Sequence, residues 1–424
     1  MLIFSLLFGY QSIFCEDKRS KDRLTMEKPT LPATKRKHGE DRGFVIPKKK
    51  RTEESAGPGG SADEPQTATE SNDEITKVQT ANQDGLATAV ANHYNQLENT
   101  GVRDRIKSPI FYLRNFNNWV KSMLIGEFVH RLADESVTGH RPTVLDMGCG
   151  KGGDMLKWKK AEIRHLICVD IAETSVEQCR GRYRDMKQRN ERERHPQPLF
   201  SAEFIAADCT RVRIQEQFRS PEMRVDLVSV QFALHYGFES LQQAERMLEN
   251  VSDRLRPGGY FIATVPDGHA IMARLQRAGG RQFGNDLFKV RLREPERRPP
   301  ALFGAQYDFF LEGVVDCPEF LVFLPLLEKL CKKYDLDLVY KKRFNEMFSS
   351  YKTTQDGKML LNKMQALEAY PPQHGAELLA EEEEYSHARA AAEHERCVGT
   401  MSRAEWQACS LYMALAFKKA KPAR

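Results

Sequence analysis

The sequence lacks the cysteine pairs that mark a disulfide framework or a structural zinc site. Its 424 residues include 9 cysteines, an odd number, and no C-x-x-C pair occurs. Several cysteines, among them Cys149, Cys168 and Cys209, lie in predicted strand or turn segments, where they serve as small hydrophobic residues. This usage is typical of a reduced intracellular protein, and we expect no bound metal ion.

The chain also lacks an apolar run long enough to cross a bilayer, and it contains no internal repeat. Residues 1–14 are apolar, but they are too few for a membrane span, and no positive charge precedes them as it would in a signal peptide. We therefore expect neither export nor a membrane partner. The natural start is either Met1 or, if the gene model is extended upstream, Met26.

Aromatic and branched apolar side chains are scarce between Glu16 and Gln83. Such a segment cannot bury enough apolar surface to offset chain entropy, so we predict a disordered basic tail over residues 1–88. Within it, Lys35-Arg36-Lys37 and residues 47–51 concentrate positive charge, although the formal net charge of the chain is only +5. Residues 47–51 resemble a nuclear import signal and predict a nuclear protein. The alternative is a solvated basic run that only attracts nucleic acid.

Residues 89–424 are predicted to form one folded domain, because apolar strands alternate there with amphipathic helices. This alternation predicts an α/β fold with a mostly parallel, doubly wound sheet, whose ligand site lies beyond the carboxyl ends of the first strands. The predicted strands are 143–146, 165–170, 202–207, 225–231, 260–265, 336–340 and 408–417. The predicted helices are 89–97, 111–132, 173–189, 241–255 and 318–334, with a loop or hairpin inside 268–304 and an exposed Glu- and Ala-rich helix at 376–395.

One glycine-rich turn follows the first of these strands. Residues 144–154 read VLDMGCGKGGD, and their glycines permit positive φ and a close backbone approach to a ligand. Gly148, Gly150 and Gly153 also fit the dinucleotide pattern G-x-G-x-x-G, so the spacing alone is ambiguous. Asp146 decides our preference, because a carboxylate there would repel a pyrophosphate and attract the ammonium and sulfonium of S-adenosylmethionine.

Polar side chains end the next three strands. Asp170 is placed to accept both hydroxyls of a ribose, and Asp208 to accept an adenine amino group, although either could instead cap the following segment. Gln231 ends the next strand and leads into His235 and Tyr236. Paired amides also occur in the aromatic segment 111–121, where Asn117 and Asn118 offer donors and acceptors for a purine edge or a ribose. Glu319 is ambiguous, because a Glu after a Pro opens many helices.

Together these segments resemble the eukaryotic mRNA cap guanine-N7 methyltransferases of the vertebrate type. The resemblance covers residues 90–418, and its most specific motifs are FYLRNFNNW at 111–119, LDMGCGKGGD at 145–154, QFALHY at 231–236 and LEGVVDCPEF at 311–320. It implies a class I S-adenosylmethionine-dependent methyltransferase fold with an inserted cap-site region and a C-terminal helical lobe. The divergent, arginine-rich loop at 279–300 departs from the family pattern.

The resemblance also implies site residues and partners. S-adenosylmethionine would be bound by Lys121, Asp146, Gly148, Asp170, Asp208, Gln231 and Tyr236. The cap would be bound by Asn117, Asn118, Lys151, Lys157, Arg182, His235, Glu319 and Tyr412. His235, Glu319 and Tyr236 would orient the reactants, with no residue acting directly on the methyl group. Expected partners are the capped 5′ end of mRNA, a small activating subunit near residues 376–395, RNA polymerase II and the capping guanylyltransferase.

Two other functions fit parts of the sequence. The glycine spacing alone is compatible with an NAD-dependent oxidoreductase, but no residue for hydride transfer is identifiable. An RNA-binding scaffold without turnover would keep the fold and the basic tail, yet every matched site residue is present.

Overall fold

A computed structural model of the protein describes residues 75–77, 85–96, 106–136, 139–195, 198–293, 300–373 and 375–421. All of these residues belong to one compact unit. The two basic clusters of the predicted tail lie outside the described residues, as do Met1, Met26 and residues 294–299 of the arginine-rich loop. No helix within the described ranges is both long and apolar enough to cross a membrane.

A central eight-stranded sheet organises the fold. Its order is β1-β4-β3-β2-β5-β6-β14-β11, and the pairs from β1 to β6 are parallel, whereas β14 pairs antiparallel with both β6 and β11. The strands are β1 Ile75–Lys77, β2 Thr143–Met147, β3 His165–Asp170, β4 Ser201–Ala206, β5 Val225–Gln231, β6 Leu255–Pro266, β11 Leu336–Arg343 and β14 Tyr412–Lys419. The predicted doubly wound, mostly parallel sheet is confirmed.

Helices cover both faces of this sheet, as continuous apolar strands require. Along β2, Val144 packs into one core cluster and Leu145 into the other. The first cluster includes α2 (Phe111–Asp134) and α4 (Glu173–Glu191), and the second includes α5 (Leu241–Ser252) and α7 (Leu324–Lys333). The remaining helices on the amino-terminal side are α1 Gly85–Gln96 and α3 Met155–Lys160.

A second, antiparallel sheet is inserted after β6. It follows α6 (Gly268–Ala278), its strand order is β10-β9-β8-β7, and it packs beside the carboxyl ends of the parallel strands. Its strands are β7 Gln282–Gly284, β8 Phe288–Leu292, β9 Gln306–Leu311 and β10 Val315–Phe320. The hairpin expected within 268–304 is confirmed, but its first part is a helix, because Asp267 accepts hydrogen bonds from the backbone amides of His269 and Ala270 and so caps α6.

The C-terminal lobe combines short helices with a two-stranded sheet. It contains α8 Phe344–Tyr351, α9 Gln355–Met364, β12 Glu368–Tyr370, α10 Arg389–His394, β13 Val398–Thr400 and α11 Arg403–Cys409. A small core of Tyr370, Tyr385, Ala388 and Val398 packs this sheet against the segment that connects its two strands.

Three predicted elements are wrong. The helix predicted at 318–334 begins only at Leu324, because residues 315–320 pair with β9 as a strand. The helix predicted at 376–395 consists of a 3-10 turn at Glu382–Tyr385 and the short α10. The strand predicted at 408–417 begins at Tyr412, because Ala408 belongs to α11.

Candidate active site

The glycine turn after β2 adopts the backbone that its sequence predicts. Gly148, Gly150 and Gly152 have φ values of 72°, 50° and 75°. A Cβ atom on Gly148 would lie 2.5 Å from the Cβ of Ala233, so no side chain fits there. The amide of Gly148 donates to the carbonyl of Val169 at 2.8 Å, which fixes the turn to the end of β3.

A cavity of about 350 Å³ opens where this turn meets the carboxyl ends of the parallel strands. Nine of the predicted site residues line it. They are Asn117, Gly148, Asp170, Asp208, Gln231, His235, Tyr236, Glu319 and Tyr412.

The cavity lining is strongly unbalanced in charge. Asp170, Asp208, Glu239 and Glu319 contribute four carboxyl groups, and no Lys or Arg among the described residues lines it. Burial raises the pKa of Asp170, although the backbone amides of Ala172 and Gly150 donate to its carboxylate. A cationic ligand group is therefore favoured in this cavity, and a pyrophosphate is disfavoured.

Asp170 and Asp208 combine local turn contacts with exposure to the cavity. Asp170 Oδ2 accepts from the amide of Gly150 at 2.8 Å, and Asp170 Oδ1 accepts from the amide of Ala172 at 2.9 Å. Asp208 Oδ1 accepts from the amide and the hydroxyl of Thr210 at 2.8 and 2.6 Å. Both carboxylates thus stabilise the turns that follow their strands, but neither occupies the N-cap position of the next helix, which is Ala172 after β3 and Arg213 before the 3-10 turn 214–217. Both carboxyl groups line the cavity.

Two amide oxygens in the lining are buried without a partner. Gln231 Nε2 donates to Ser229 Oγ at 3.1 Å, which leaves Gln231 Oε1 without a hydrogen bond to any described residue. Asn117 Oδ1 is in the same condition within the described part of the chain. A buried acceptor without a donor costs free energy, so these atoms are candidates for ligand contacts.

Glu319 belongs to a buried polar cluster on the far wall of the cavity. It stands opposite Tyr307 in the β10–β9 register, and the Tyr307 hydroxyl donates to Glu319 Oε2 at 2.6 Å. Burial, together with the Glu319 carboxylate, raises the pKa of Tyr307 well above its usual value, so Tyr307 remains a donor. His235 Nε2 lies 3.3 Å from Glu319 Oε1. The side chains of His235 and Glu319 are only 2% and 4% exposed.

Aromatic rings complete this wall. Phe232 has a φ of 58°, uncommon for a bulky residue, and this backbone places it in the cavity lining. Its ring packs edge-on against Tyr412, with centroids 5.1 Å apart. The Tyr236 hydroxyl lies 3.3 Å from Cys317 Sγ, which anchors its ring between the 3-10 turn Leu234–Glu239 and β10.

Several predicted site residues lie outside the cavity lining and form an ion cluster beside the turn. Lys121 Nζ and Lys157 Nζ each lie 2.7 Å from Asp154 Oδ1, and Lys157 Nζ also donates to Asn118 Oδ1 at 3.0 Å. Burial alone would raise the pKa of Asp154, but the two lysines outweigh it and lower that pKa to about 2. Lys151 and Arg182 also lie outside the lining and are partly exposed.

Asp146 was predicted to place its carboxylate at the ligand site, but it does not line the cavity. It is 4% exposed, and its Oδ2 accepts a hydrogen bond from Trp158 Nε1 at 3.0 Å instead of lining the cavity. Burial and the nearby Asp154 carboxylate raise the pKa of Asp146 to about 8. The negative charge expected from Asp146 is supplied in the lining by other carboxyl groups.

Comparison with known proteins agrees with this arrangement. The family model of the mRNA (guanine-N(7))-methyltransferase domain matches residues 77–420. The chain belongs to this family. The mRNA cap guanine-N(7) methyltransferase of Drosophila melanogaster is 48% identical over 336 residues, which cover 78% of this chain and 77% of that protein. The protein of the same name from Caenorhabditis elegans is 36% identical over 346 residues, covering 78% and 87% respectively.

Membership of the mRNA (guanine-N7)-methyltransferase family confirms the predicted enzyme class and the predicted class I methyltransferase fold. The roles of individual site residues stay predictions. Sequence reasoning for this methyltransferase missed Phe232 and Glu239 as lining residues, together with Leu311, Val314 and Val315 of the β9–β10 hairpin. Phe232, Leu311, Val314 and Val315 all stood inside quoted motifs, but nothing in their spacing indicated that they would face a cavity.

Proposed function

We propose that this methyltransferase transfers a methyl group from S-adenosylmethionine to N7 of the terminal guanine of GpppN-capped mRNA. The observation that carries the proposal, beside family membership, is the charge of the cavity: four carboxyl groups and, among the described residues, no cation. Such a lining suits a positively charged methyl donor and a guanine that becomes positively charged on methylation.

The residues at the strand ends fit the methyl donor. Gly148 has no room for a Cβ, and we assign Asp170 to the two ribose hydroxyls and Asp208 to the adenine amino group because both carboxyl groups line the cavity. Gln231 Oε1, buried without a donor among the described residues, is available to an amino group. When bound, S-adenosylmethionine supplies an activated methyl group on a good leaving group. Lys121 and Asp146 lie outside the cavity lining, and they would support the turn indirectly through their contacts with Asp154 and Trp158.

Guanine recognition is assigned to the opposite wall. The N1 and N2 edge of guanine presents hydrogen-bond donors, and the Glu319 carboxylate is an acceptor whose orientation is fixed by Tyr307. His235 and Asn117 lie in the same lining, and the rings of Tyr236 and Tyr412 offer surfaces on which a purine can stack.

No general base is needed in this mechanism. Guanine N7 is a lone-pair nucleophile without a proton, so the enzyme acts by holding N7 in line with the methyl carbon and its leaving group. Orientation of this kind contributes roughly 7–11 kcal/mol in well-oriented intramolecular reactions. Methylation places positive charge on the purine, and Glu319 beside it would favour the transition state more than the neutral ground state.

The triphosphate is expected to remain outside the cavity. Its charges would be repelled by the carboxyl groups of the lining, whereas Lys151, Lys157 and Arg182 lie outside that lining. We assign these three cations to the phosphates, with Asn118 holding Lys157 through its hydrogen bond.

The expected partners extend this proposal beyond the cavity. The surface of residues 376–395, where α10 buries none of its residues, is our candidate for an activating subunit. Its alternative is a solvated helix. Association with RNA polymerase II and the capping guanylyltransferase and a nuclear location stay predictions. The disordered tail predicted over residues 1–88 is too long, because residues 75–77 form β1 and α1 begins at Gly85; for the residues before Ile75 it stays a prediction.

The test is a transfer assay with radiolabelled S-adenosylmethionine and RNA ending in GpppG, ApppG or a triphosphate, followed by digestion to release the cap. Label recovered only as N7-methylguanosine supports the proposal. Label on ApppG or on internal bases overturns it. Absence of label on every RNA, with S-adenosylhomocysteine still bound, would favour a binding scaffold or a missing activating subunit.

A further inference from the structure

Three cysteine side chains from three different elements meet beside the glycine turn. Cys149 lies in the turn, Cys168 on β3 and Cys179 on α4, and their Sγ atoms all lie within 4.8 Å of one another. All three are free thiols. Cys168 and Cys179 are buried, and Cys149 is partly exposed. Because the three are far apart in sequence, no spacing motif indicated this cluster.

All three potential metal ligands in the cluster are sulfur atoms. Within the described part of the chain, no histidine or carboxylate joins the three thiols. Thiolate ligands select soft or borderline ions such as zinc and cadmium over magnesium, calcium or manganese. Thiolates bound tetrahedrally to one zinc ion lie about 3.8 Å apart, given a Zn–S distance of about 2.3 Å. The Sγ separations of at most 4.8 Å exceed this spacing by no more than about 1 Å.

We propose that Cys149, Cys168 and Cys179 form a binding site for one soft divalent metal ion of the zinc and cadmium class. Three protein ligands leave a fourth position for an exogenous ligand such as water. The expectation of no metal, drawn from the absence of a C-x-x-C pair, is thereby revised by the packing of β3 and α4 against the turn.

The proposed metal site lies next to the cavity. Cys149 stands between Gly148 and Gly150, which both line the cavity, and its amide donates to the carbonyl of Val169 at 3.0 Å. Gly152 packs so closely that a Cβ there would lie 2.8 Å from Cys179 Sγ. An ion held by the three thiolates would cross-link the turn to β3 and α4. This inference does not depend on the proposed methyl transfer.

Cadmium titration of the reduced, metal-free full-length protein tests the site directly. We expect thiolate-to-cadmium charge-transfer absorption that saturates at one equivalent, and competition by Zn²⁺. Cys149→Ser should weaken cadmium binding at least about tenfold, the scale on which even residues outside the ligand set act. Cys331→Ser is the matched control, since Cys331 is also a buried free thiol but lies on α7, and it should leave the titration unchanged.

X-ray absorption spectroscopy of the zinc-loaded native protein gives a second measurement that needs no variant. The expected first shell contains three sulfur atoms at about 2.3 Å and one lighter atom. No saturable absorption in the native protein, equal cadmium affinity in folded Cys149→Ser, or a zinc shell without three sulfur atoms would each overturn the proposal. Circular dichroism establishes that each variant is folded.

Discussion

The carboxylate of Glu319 is the residue on which guanine recognition depends most in our proposal. Replacing it by Gln keeps the shape and the bond from Tyr307 but removes the negative charge beside the purine. We expect kcat/KM for capped RNA to fall by roughly 100-fold, since a charged hydrogen bond contributes about 1.5–3 kcal/mol. Binding of S-adenosylhomocysteine, measured by calorimetry, should change less than about twofold, within roughly 0.4 kcal/mol.

Asp316→Asn is the matched control for Glu319→Gln. Asp316 is exposed on the same strand, and its side chain points to the opposite face because side chains alternate along a strand. It should retain native kinetics. If Glu319→Gln weakened cap and S-adenosylhomocysteine binding equally, Glu319 would be a structural residue instead of a guanine contact.

Asp146 makes the stability of the protein depend on pH. Its pKa rises from an ordinary 3.8 to about 8 on folding, so between these values the native state holds a proton that the unfolded state has released. Stability from this residue is fully present below about pH 4 and is lost as pH rises towards 8. Asp146→Asn removes the titrating group, and its side-chain oxygen can still accept from Trp158 Nε1.

Chemical denaturation at pH 6 and pH 9 measures this effect. The loss in unfolding free energy between the two pH values should be smaller in Asp146→Asn than in the native chain by more than about 1 kcal/mol, close to the value of one pKa unit. Asp185→Asn is the control, because Asp185 is exposed on α4. Equal pH dependence in all three proteins would show that Asp146 ionises without cost.

At the residue scale, sequence reasoning succeeded where strand ends dictate position. Asp170, Asp208 and Gln231 all reach the cavity, because parallel strands bring their carboxyl ends to one edge. It failed for Asp146, whose direction is set by Trp158 from the following helix. It also failed for the three clustered thiols, since only tertiary packing brings them together.

At the scale of the element, two glycines of the turn look equivalent in the sequence but have different surroundings in the structure. Gly148 has a positive φ and faces Ala233 too closely for a Cβ, whereas Gly153 is exposed and has no atom within 4 Å of a Cβ position. We expect Gly148→Ala to lower the unfolding free energy by about 1–3 kcal/mol and to abolish binding of S-adenosylhomocysteine.

Gly153→Ala should leave stability within about 0.5 kcal/mol of the native value and should bind S-adenosylhomocysteine normally. Thermal denaturation and calorimetry on both variants check this contrast. Equal effects of the two substitutions would mean that the turn tolerates a side chain at Gly148, and that the site does not depend on its backbone.

Predictions of whole elements were confirmed for strands that are buried on both faces of the sheet, since a continuous apolar run of that length favours a strand. The strands at 165–170 and 225–231 have the predicted bounds. The helix predicted at 318–334 contains a real helix, α7, but the prediction began it too early and included part of β10. Those residues form a strand because they pair with β9. At 376–395 high helix propensity was overridden, because Tyr385 turns inward and its hydroxyl donates to Glu368.

At the scale of the whole molecule, the cavity joins parts of the chain that no local pattern connects. The parallel sheet supplies the glycine turn and its acids, the inserted sheet supplies Glu319, which is held by Tyr307, and the C-terminal strand β14 supplies Tyr412. The first wall could be predicted because its topology follows general rules of α/β folds. The second wall could not be derived from local patterns, because residues 268–304 indicated only a loop or hairpin and the position of this wall depends on long-range packing. Glu319 and Tyr412 were named only through the family resemblance.

Because of the charge of the assembled cavity, one ligand-binding experiment can distinguish a methyltransferase from an NAD-dependent oxidoreductase. A ribose can bind Asp170 in either class, but the pyrophosphate of NAD would face carboxyl groups with no Lys or Arg among the described lining residues. Saturating S-adenosylhomocysteine should therefore stabilise the full-length protein, by about 2.7 kcal/mol at 100 times its Kd, and NAD at equal concentration should not. Differential scanning calorimetry reads both as shifts in Tm. Stabilisation by NAD alone would reject the methyl-donor site, since a ligand raises Tm only by binding the native state more tightly than the unfolded one.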